Sequence, residues 1–581
     1  MPPPADDSTS RFALRGRLVT LDPDDTVIED GILYVSGRLI EAVRPATAEA
    51  PPGFEQIVPV ETGGTVYPGL IELHNHLPYD VLPLWQVPKK YGNRSQWGGS
   101  RNPAYHGLVT GPMTVLGQDP QLMPAVVRYV EAKALVNGTT TSQGIALFSN
   151  TGARRMYRGV IRNIEQTDDA DLPEASSRIA DVEATDAEQF VGRLNKSRRL
   201  LLHLAEGTDD DARAHFQALE FQPGKWAITE NLVGIHCTAL TASDFKILAR
   251  HGGSMVWSPL SNLLLYGRTA DIAAAKKAHV LMGLGSDWSV SGSKGLLGEL
   301  KAARLVSAAA GDVFTDQELV AMATRDAARI LRWDQALGSL RPGLRADVLV
   351  VDGIAGDPYA TLIDTRDTGV QLVMIDGVAR YGTRKLLQLL VPGAPLEEPV
   401  SGAPADRALN LRDPSADPVV AGLTLAEATR RLSTALADLP LLASRADRAP
   451  LTEAPLTEAP LTEAPLMKAP LMKAPLMKVP DTGVPDAEAP DTEVRWQLAL
   501  DEVLPTGAEL RPRLPLLTAA GTPQPTGPDI GPAPTPLAEA VQAPVTLDGL
   551  TASADIAFLT ALAHETNLPA DYGAELSRLL S

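Results

Sequence analysis

Short segments in which apolar and polar residues alternate open the chain, Leu14–Leu21 and Gly31–Ile40, each bounded by Asp, Pro or Gly. Period-two alternation between turn residues predicts hairpin strands. The same texture returns downstream in Ala346–Asp352 and Val370–Arg380, so the ends of this stretch are expected to pair in a small composite β-sandwich domain, 12–66 with 334–390. Between them the pattern changes to apolar runs followed by helix-periodic segments such as Ala242–His251. Candidate strands fall at 66–74, 139–146, 159–165, 178–182, 199–205, 232–237, 254–258 and 280–286. Eight strand–helix units predict an α/β fold, with a closed parallel (β/α)₈ barrel of the TIM type over residues 67–333.

Beyond about residue 395 the pattern breaks down. Residues 391–448 read as a helical extension. Residues 449–478 are six five-residue repeats, Ala-Pro-Leu-Thr-Glu and then Ala-Pro-Leu-Met-Lys, with proline at every fifth position. No helix survives that spacing and the period is too short for a solenoid, so 449–545 is expected to be a Pro-rich extended or disordered linker. Residues 546–581 turn helical again, and Ile556, Phe558, Leu559 and Leu562 need a surface to cover them.

Charge and cysteine content narrow the function classes. A net charge of −19 argues against nucleic acid or an anionic membrane as partner, since both demand local positive charge. No run approaches the ~18 unbroken apolar residues of a membrane span, and the start of the chain lacks a basic, apolar leader pattern. The single cysteine, Cys237, excludes an intramolecular disulfide and fits a reducing compartment. The expectation is a cytoplasmic protein with a small-molecule substrate, compatible with a homo-oligomer.

The candidate chemistry begins in Val66–His76, where His74 and His76 stand two apart at the end of an apolar run. In a strand, residues i and i+2 share a face, so both imidazoles can reach one metal ion. His203 and His236 end the fifth and sixth candidate strands, and Asp287 the eighth. At the C-terminal mouth of a barrel these side chains converge. Three neutral imidazoles and a carboxylate suit one divalent metal, Zn²⁺ ahead of Fe²⁺, whereas Mg²⁺ and Ca²⁺ prefer oxygen ligands alone.

In order along the chain, Pro68-Gly-Leu-Ile-Glu-Leu-His-Asn-His76, Asn137-Gly-Thr-Thr-Thr141, His203-Leu-Ala-Glu206, Gly234-Ile-His-Cys237, Ser258-Pro-Leu-Ser-Asn-Leu-Leu-Leu265, Gly285-Ser-Asp287 and Gly338–Val350 form a set that resembles the amidohydrolase superfamily, in its cytosine deaminase and triazine hydrolase branch, over residues 12–385. The resemblance implies that His74, His76, His203 and Asp287 are metal ligands. It further implies that Glu206 is the proton shuttle and that His236 supports the ligands or polarises the substrate. Chemistry supports each type: Asp287 can help take a proton from water, Glu206 can pass it to a leaving nitrogen, and His236 can donate to a developing oxyanion. The binuclear members use a lysine on the fourth strand, and none lies between Ala175 and Asp186. That favours one metal, with a carboxylate bridge from Glu165 or Glu183 left open.

The long segment Leu77–Met113 follows the histidine pair, rich in Gly, Pro and aromatics, with Lys89, Lys90, Arg94 and Arg101 as its cations. Its composition suits stacking a planar ring and pairing an anionic group, and equally suits a solvated lid. Trp97 within it, and Gln143, Asn262 and Trp288 near strand ends, are weaker candidates for substrate contact. His106, His215, His251, His279 and His564 are given no part in the chemistry. The sequence therefore points to a metal-dependent hydrolase of non-peptide C–N bonds, most simply an aminohydrolase of a nitrogen-containing ring. Its rivals are a cyclic or linear amide hydrolase on the same scaffold and a non-catalytic scaffold that binds partners through the Pro-rich tail.

Overall fold

The computed structural model describes residues 10–99, 102–150, 153–179, 181–182, 184–196, 198–399, 402–446, 494–500 and 536–581. Its largest sheet has eight strands, in the order Arg407–Leu409, Val378–Thr383, Val370–Ile375, Val348–Asp352, Val60–Pro68, Arg11–Val19, Val27–Ser36 and Leu39–Pro45. Both flanks of the chain thus contribute to one sheet, and Val350 pairs with Val66 across the seam. Alternation does the work here. Leu14, Leu18, Leu33, Val35, Val348, Val350, Leu372 and Met374 bury one face as a common core. Arg407–Leu409 extends this sheet from within the stretch expected to be helical, because Tyr381 to Thr383 offer an open edge to it. The helices Leu425–Ala437 and Leu439–Ala446 follow.

Eight further strands run parallel in two arcs. Leu70–Ile71, Thr139–Ser142 and Arg162–Asn163 form one, and Ala175–Arg178, Arg199–Leu204, Leu232–His236, Ser254–Trp257 and Met282–Leu284 the other. Hydrogen bonds join the arcs at both ends: Ala175 N donates to Ile164 O at 2.8 Å, and Asp287 N donates to His74 O at 3.0 Å. Seven of the eight strands lie inside the predicted segments. The fourth departs, at Ala175–Arg178 in place of 178–182, because Ile179 O leaves the ladder to accept from Arg94.

The first strand departs in a way that matters. The predicted run 66–74 is cut at Gly69: Val60–Pro68 belongs to the large sheet and only Leu70–Ile71 to the parallel arc. Glycine is required at the junction, since a Cβ there would sit 2.4 Å from Thr140 Oγ1. His74 and His76 therefore lie beyond the strand end, and the same-face argument that motivated them does not describe their geometry. They are brought together instead by the pairing of Asn75 with Asp287.

The repeats at 449–478, and most of the stretch read as a linker, lie outside the described residues. Within that stretch, Trp496–Leu498 is a strand paired with Ala146–Ser149, and Arg155 stacks over the Trp496 ring at 4.0 Å. Residues 536–581 lie against the half of the chain that carries the two arcs, with helices Ile556–Ala563 and Tyr572–Leu580. Asp548 is clamped there between two buried lysines, Lys133 and Lys294, the latter at 2.8 Å, while Asn567 Nδ2 donates to Leu264 O at 2.8 Å. Among the described residues no helix is long and apolar enough to cross a membrane.

Candidate metal centre and active site

The strand ends carry the site, and their backbone is unusual. Ala205, His236 and Asp287 hold left-handed φ values of 51°, 67° and 68°. Non-glycine residues persist there only when surrounding structure imposes it, and such strain gathers at functional sites. The ladder at each position ends in a residue turned inward.

Five side chains converge. His74, His203 and His236 bring ring nitrogens within 4.8 Å of one another, as do His74, His76 and Asp287 their ligand atoms. Asp287 Oδ1 lies 3.1 Å from His74 Nε2 and 3.5 Å from His76 Nε2, and its Oδ2 accepts from Ser261 Oγ at 2.5 Å. Burial would raise the Asp287 carboxyl, but His74, His236 and His76 together hold it well below the usual carboxylate range. Burial, reinforced by the neighbouring imidazoles, drives His203 far below its ordinary value, so it stays neutral.

Donor and acceptor logic fixes the tautomers. Gln143 Oε1 accepts the Asn75 N–H at 3.0 Å, so the His74 Nδ1 beside it at 2.9 Å carries the proton. Gln143 Nε2 then donates to Ser177 Oγ at 2.7 Å, which donates to Glu165 at 2.8 Å. The other nitrogen of His74, Nε2, is a fully buried lone pair with no hydrogen-bond partner, facing an ionised carboxylate oxygen. Two acceptors in that relation need a proton or a metal cation between them. His203 Nδ1 donates to Arg178 O at 3.4 Å, which likewise leaves its Nε2 as the ligand atom. The donor set is thus chemically fit for a divalent metal that favours imidazole with one carboxylate.

His236 is set the opposite way. Trp257 Nε1, a donor only, bonds Thr269 Oγ1 at 2.7 Å; Thr269 therefore donates to Asn262 Oδ1 at 3.2 Å, and Asn262 Nδ2 donates to His236 Nδ1 at 3.1 Å. The proton of neutral His236 sits on Nε2, which lies 3.9 Å from Glu206 Oε2. Burial lowers His236 despite the nearby carboxylates, so neutral is the form to consider.

A cavity of about 40 Å³ lies over these groups, lined by His76, Tyr79, Arg94, Trp97, Ile179, His203, Glu206, His236, Asp287 and Trp288. That volume holds a few waters, so a planar ring enters only if the walls part. Trp97 and Trp288 line the cavity as the sequence suggested. Gln143 and Asn262 are not among the lining residues: the first bonds His74 and the second His236. Glu165 is committed to Ser177 and to Gly144 N at 2.8 Å, and Glu183 lies outside the described residues.

The segment Leu77–Met113 is not a solvated lid. Tyr79, Trp85, Tyr91, Trp97 and Tyr105 are all buried. Arg94 reaches Ile179 O at 2.8 Å, Asp181 at 3.0 Å and Glu206 Oε2 at 3.8 Å, and Thr208 N donates to Gly92 O at 2.6 Å. Gly207 permits this seam, because a Cβ there would lie 2.3 Å from Gly92 O. Sequence reasoning missed Ser261 and Tyr266 as site groups, although Ser261 lies within the quoted Ser258–Leu265 motif and Tyr266 directly follows it.

Residues 198–380 match the Amidohydrolase family. The 5-methylthioadenosine/S-adenosylhomocysteine deaminase of Symbiobacterium thermophilum is 24% identical over 396 residues, 60% of this chain and 85% of that protein. The S-triazine hydrolase of Gordonia rubripertincta is 27% identical over 156 residues, 26% of this chain and 32% of that protein. Among solved structures, an adenosine deaminase from Xanthomonas campestris with bound zinc is 18% identical with a TM-score of 0.51, over 73% of this chain and 98% of that one. A triazine hydrolase variant is 20% identical with a TM-score of 0.50, over 64% and 94%.

Proposed function

As the chain belongs to the amidohydrolase superfamily, we propose that it is a metal-dependent aminohydrolase, releasing ammonia or an amine from a nitrogen-containing ring by attack of water. The observation that carries this reading is the buried His74 Nε2 opposite Asp287 Oδ1, beside a cavity lined by Glu206, whose Oε2 has no hydrogen-bond partner. His74, His76, His203 and Asp287 hold one divalent cation, Zn²⁺ ahead of Fe²⁺. When bound, that cation supplies Lewis acidity that brings the pKa of water toward ~7. The two parallel arcs are read as one (β/α)₈ barrel, whose strand ends present the ligands together.

The chain's own residues supply the rest. Glu206 Oε2 takes a proton from water and returns it to the leaving nitrogen. His236 Nε2–H donates to the substrate atom on which negative charge develops. Trp97, Trp288 and Tyr79 form aromatic walls suited to a flat ring. The substrate is a small molecule; the net charge of −19 disfavours nucleic acid and anionic membranes, and the lone Cys237 fits the cytoplasm.

An ammonia-release screen over purines, pterins, pyrimidines and triazines, run beside elemental analysis, tests the reading. One metal per chain and ammonia from at least one ring are expected, with both lost in His74→Ala. A His74→Ala protein that keeps one ion per chain removes the ligand set, and turnover confined to amides makes the enzyme an amide hydrolase.

A further inference from the structure

The buried helix Pro259–Tyr266 touches three reacting groups without lining the cavity itself: Ser261 reaches Asp287, Asn262 reaches His236, and Tyr266 reaches Glu206. The third contact has a direction that chemistry fixes. Trp97 Nε1 lies 2.9 Å from the Tyr266 hydroxyl oxygen, and an indole N–H can only donate. The Tyr266 oxygen therefore accepts from Trp97, and its own proton goes to Glu206 Oε1, at 2.7 Å. All three groups are buried. Glu206 Oε1 is thereby occupied as an acceptor, while Oε2 is left without a hydrogen-bond partner. That second oxygen has His236 Nε2 at 3.9 Å and Arg94 Nη1 at 3.8 Å, and both of those residues line the cavity together with Glu206.

We propose that Tyr266, oriented by Trp97, is a positioning residue that locks the Glu206 carboxylate with Oε1 capped and Oε2 reserved for proton transfer. The inference rests on the proposed aminohydrolase reading for the role of Glu206, but the relay is a property of the folded chain. Without it, the carboxylate rotates about its Cγ–Cδ bond and either oxygen can be turned away from the reacting atoms. Trp97 arrives on the segment that follows the metal-ligating histidine pair. The same indole that walls the cavity therefore sets the proton donor's orientation, and a loop displaced by a poorly fitting ligand releases both at once.

Two measurements test it, one of them independent of any substrate. In protein labelled with ¹⁵N-tryptophan, the Trp97 indole resonance is assigned by its loss in Trp97→Phe. It is expected to be protected from solvent exchange and to exchange at least about tenfold faster in Tyr266→Phe, which removes the acceptor. Exchange unchanged by Tyr266→Phe overturns the relay. In kinetics on a ring substrate from the screen, Tyr266→Phe is expected to lower kcat roughly 10–100-fold, the range for a hydrogen bond to a charged group, with KM moved less than about twofold and metal content unchanged. Trp97→Phe is expected to cost a smaller factor alone and nothing further in the Tyr266→Phe background. Wild-type kcat in Tyr266→Phe, or an equal loss from Trp97→Phe in both backgrounds, overturns the proposal. A protected indole in a protein that turns over no ring sinks the functional reading while leaving the relay standing; turnover with an unprotected indole does the reverse.

Discussion

The floor of this site and the wall that closes over it are built by different rules. The floor consists of His203 and His236 on short parallel strands, and of His74, His76 and Asp287 just beyond strand ends. The wall consists of Arg94 and Trp97 from one loop and Trp288 from another, backed by helix Pro259–Tyr266 and by residues 536–581. Floor residues are held by their own strands and one partner each. Wall residues are held by long-range bonds, many of them to main-chain carbonyls, such as Asn567 to Leu264 or Lys133 to Asp80. Reaction chemistry is thus set by a few local positions, and enclosure of the substrate by pieces distant in sequence.

Three changes pull the two regions apart. The largest effect belongs to Glu206, where floor meets wall: Glu206→Gln should retain the metal by elemental analysis and lose roughly 10²–10⁴-fold in kcat. Near-wild-type turnover would take proton transfer away from it. Next comes the wall's anchor. Asp548→Ala leaves Lys133 and Lys294 buried with one shared partner gone, and removal of one member of a buried pair costs about 3–5 kcal/mol. The urea midpoint should fall by a corresponding amount, and an unchanged midpoint would mean that Asp555 alone satisfies Lys294. The smallest effect sharpens the contrast through pH. Glu299 accepts from Leu260 N at 3.0 Å and from Ser293, and burial pushes its carboxyl up to about 8 from an ordinary 4.5. The folded state therefore binds the extra proton between those values, and the stability it contributes is present below 4.5 and lost as pH rises through about 8. Glu299→Gln, which mimics the protonated acid, should lose less melting temperature than the wild type between pH 6 and pH 9.

This division also decides what could be read from the sequence. Seven of the eight parallel strands, the composite β-sheet and the placing of His203 and His236 at strand ends follow from periodicity and from the strand-end rule, because short-range pattern determines them. The left-handed backbone at Ala205, His236 and Asp287 left no mark, since none of the three is glycine. The cut at Gly69 was hidden inside one continuous apolar run that two sheets share. Gln143 and Asn262 stood near strand ends as expected, yet face the imidazoles of His74 and His236, because an amide at a strand end gives no hint of which way it turns. Tyr266 was unreadable for another reason: its partners, Trp97 and Glu206, are brought to it by tertiary structure alone.

The clamp on Asp548 bears on how the protein is made. Asp548 follows Lys294 by 254 residues, and at ordinary rates of synthesis that interval lasts roughly 10–50 s. Throughout it, the nascent chain carries Lys294 without Asp548 or Asp555, its carboxylate partners, and Lys133 with Asp80 but without Asp548. The floor is ready long before the wall has its anchor. A ribosome-bound chain stalled short of Asp548 is accordingly the form most exposed to chaperones and proteases, and the form in which metal can reach His74 with the least protein in its way.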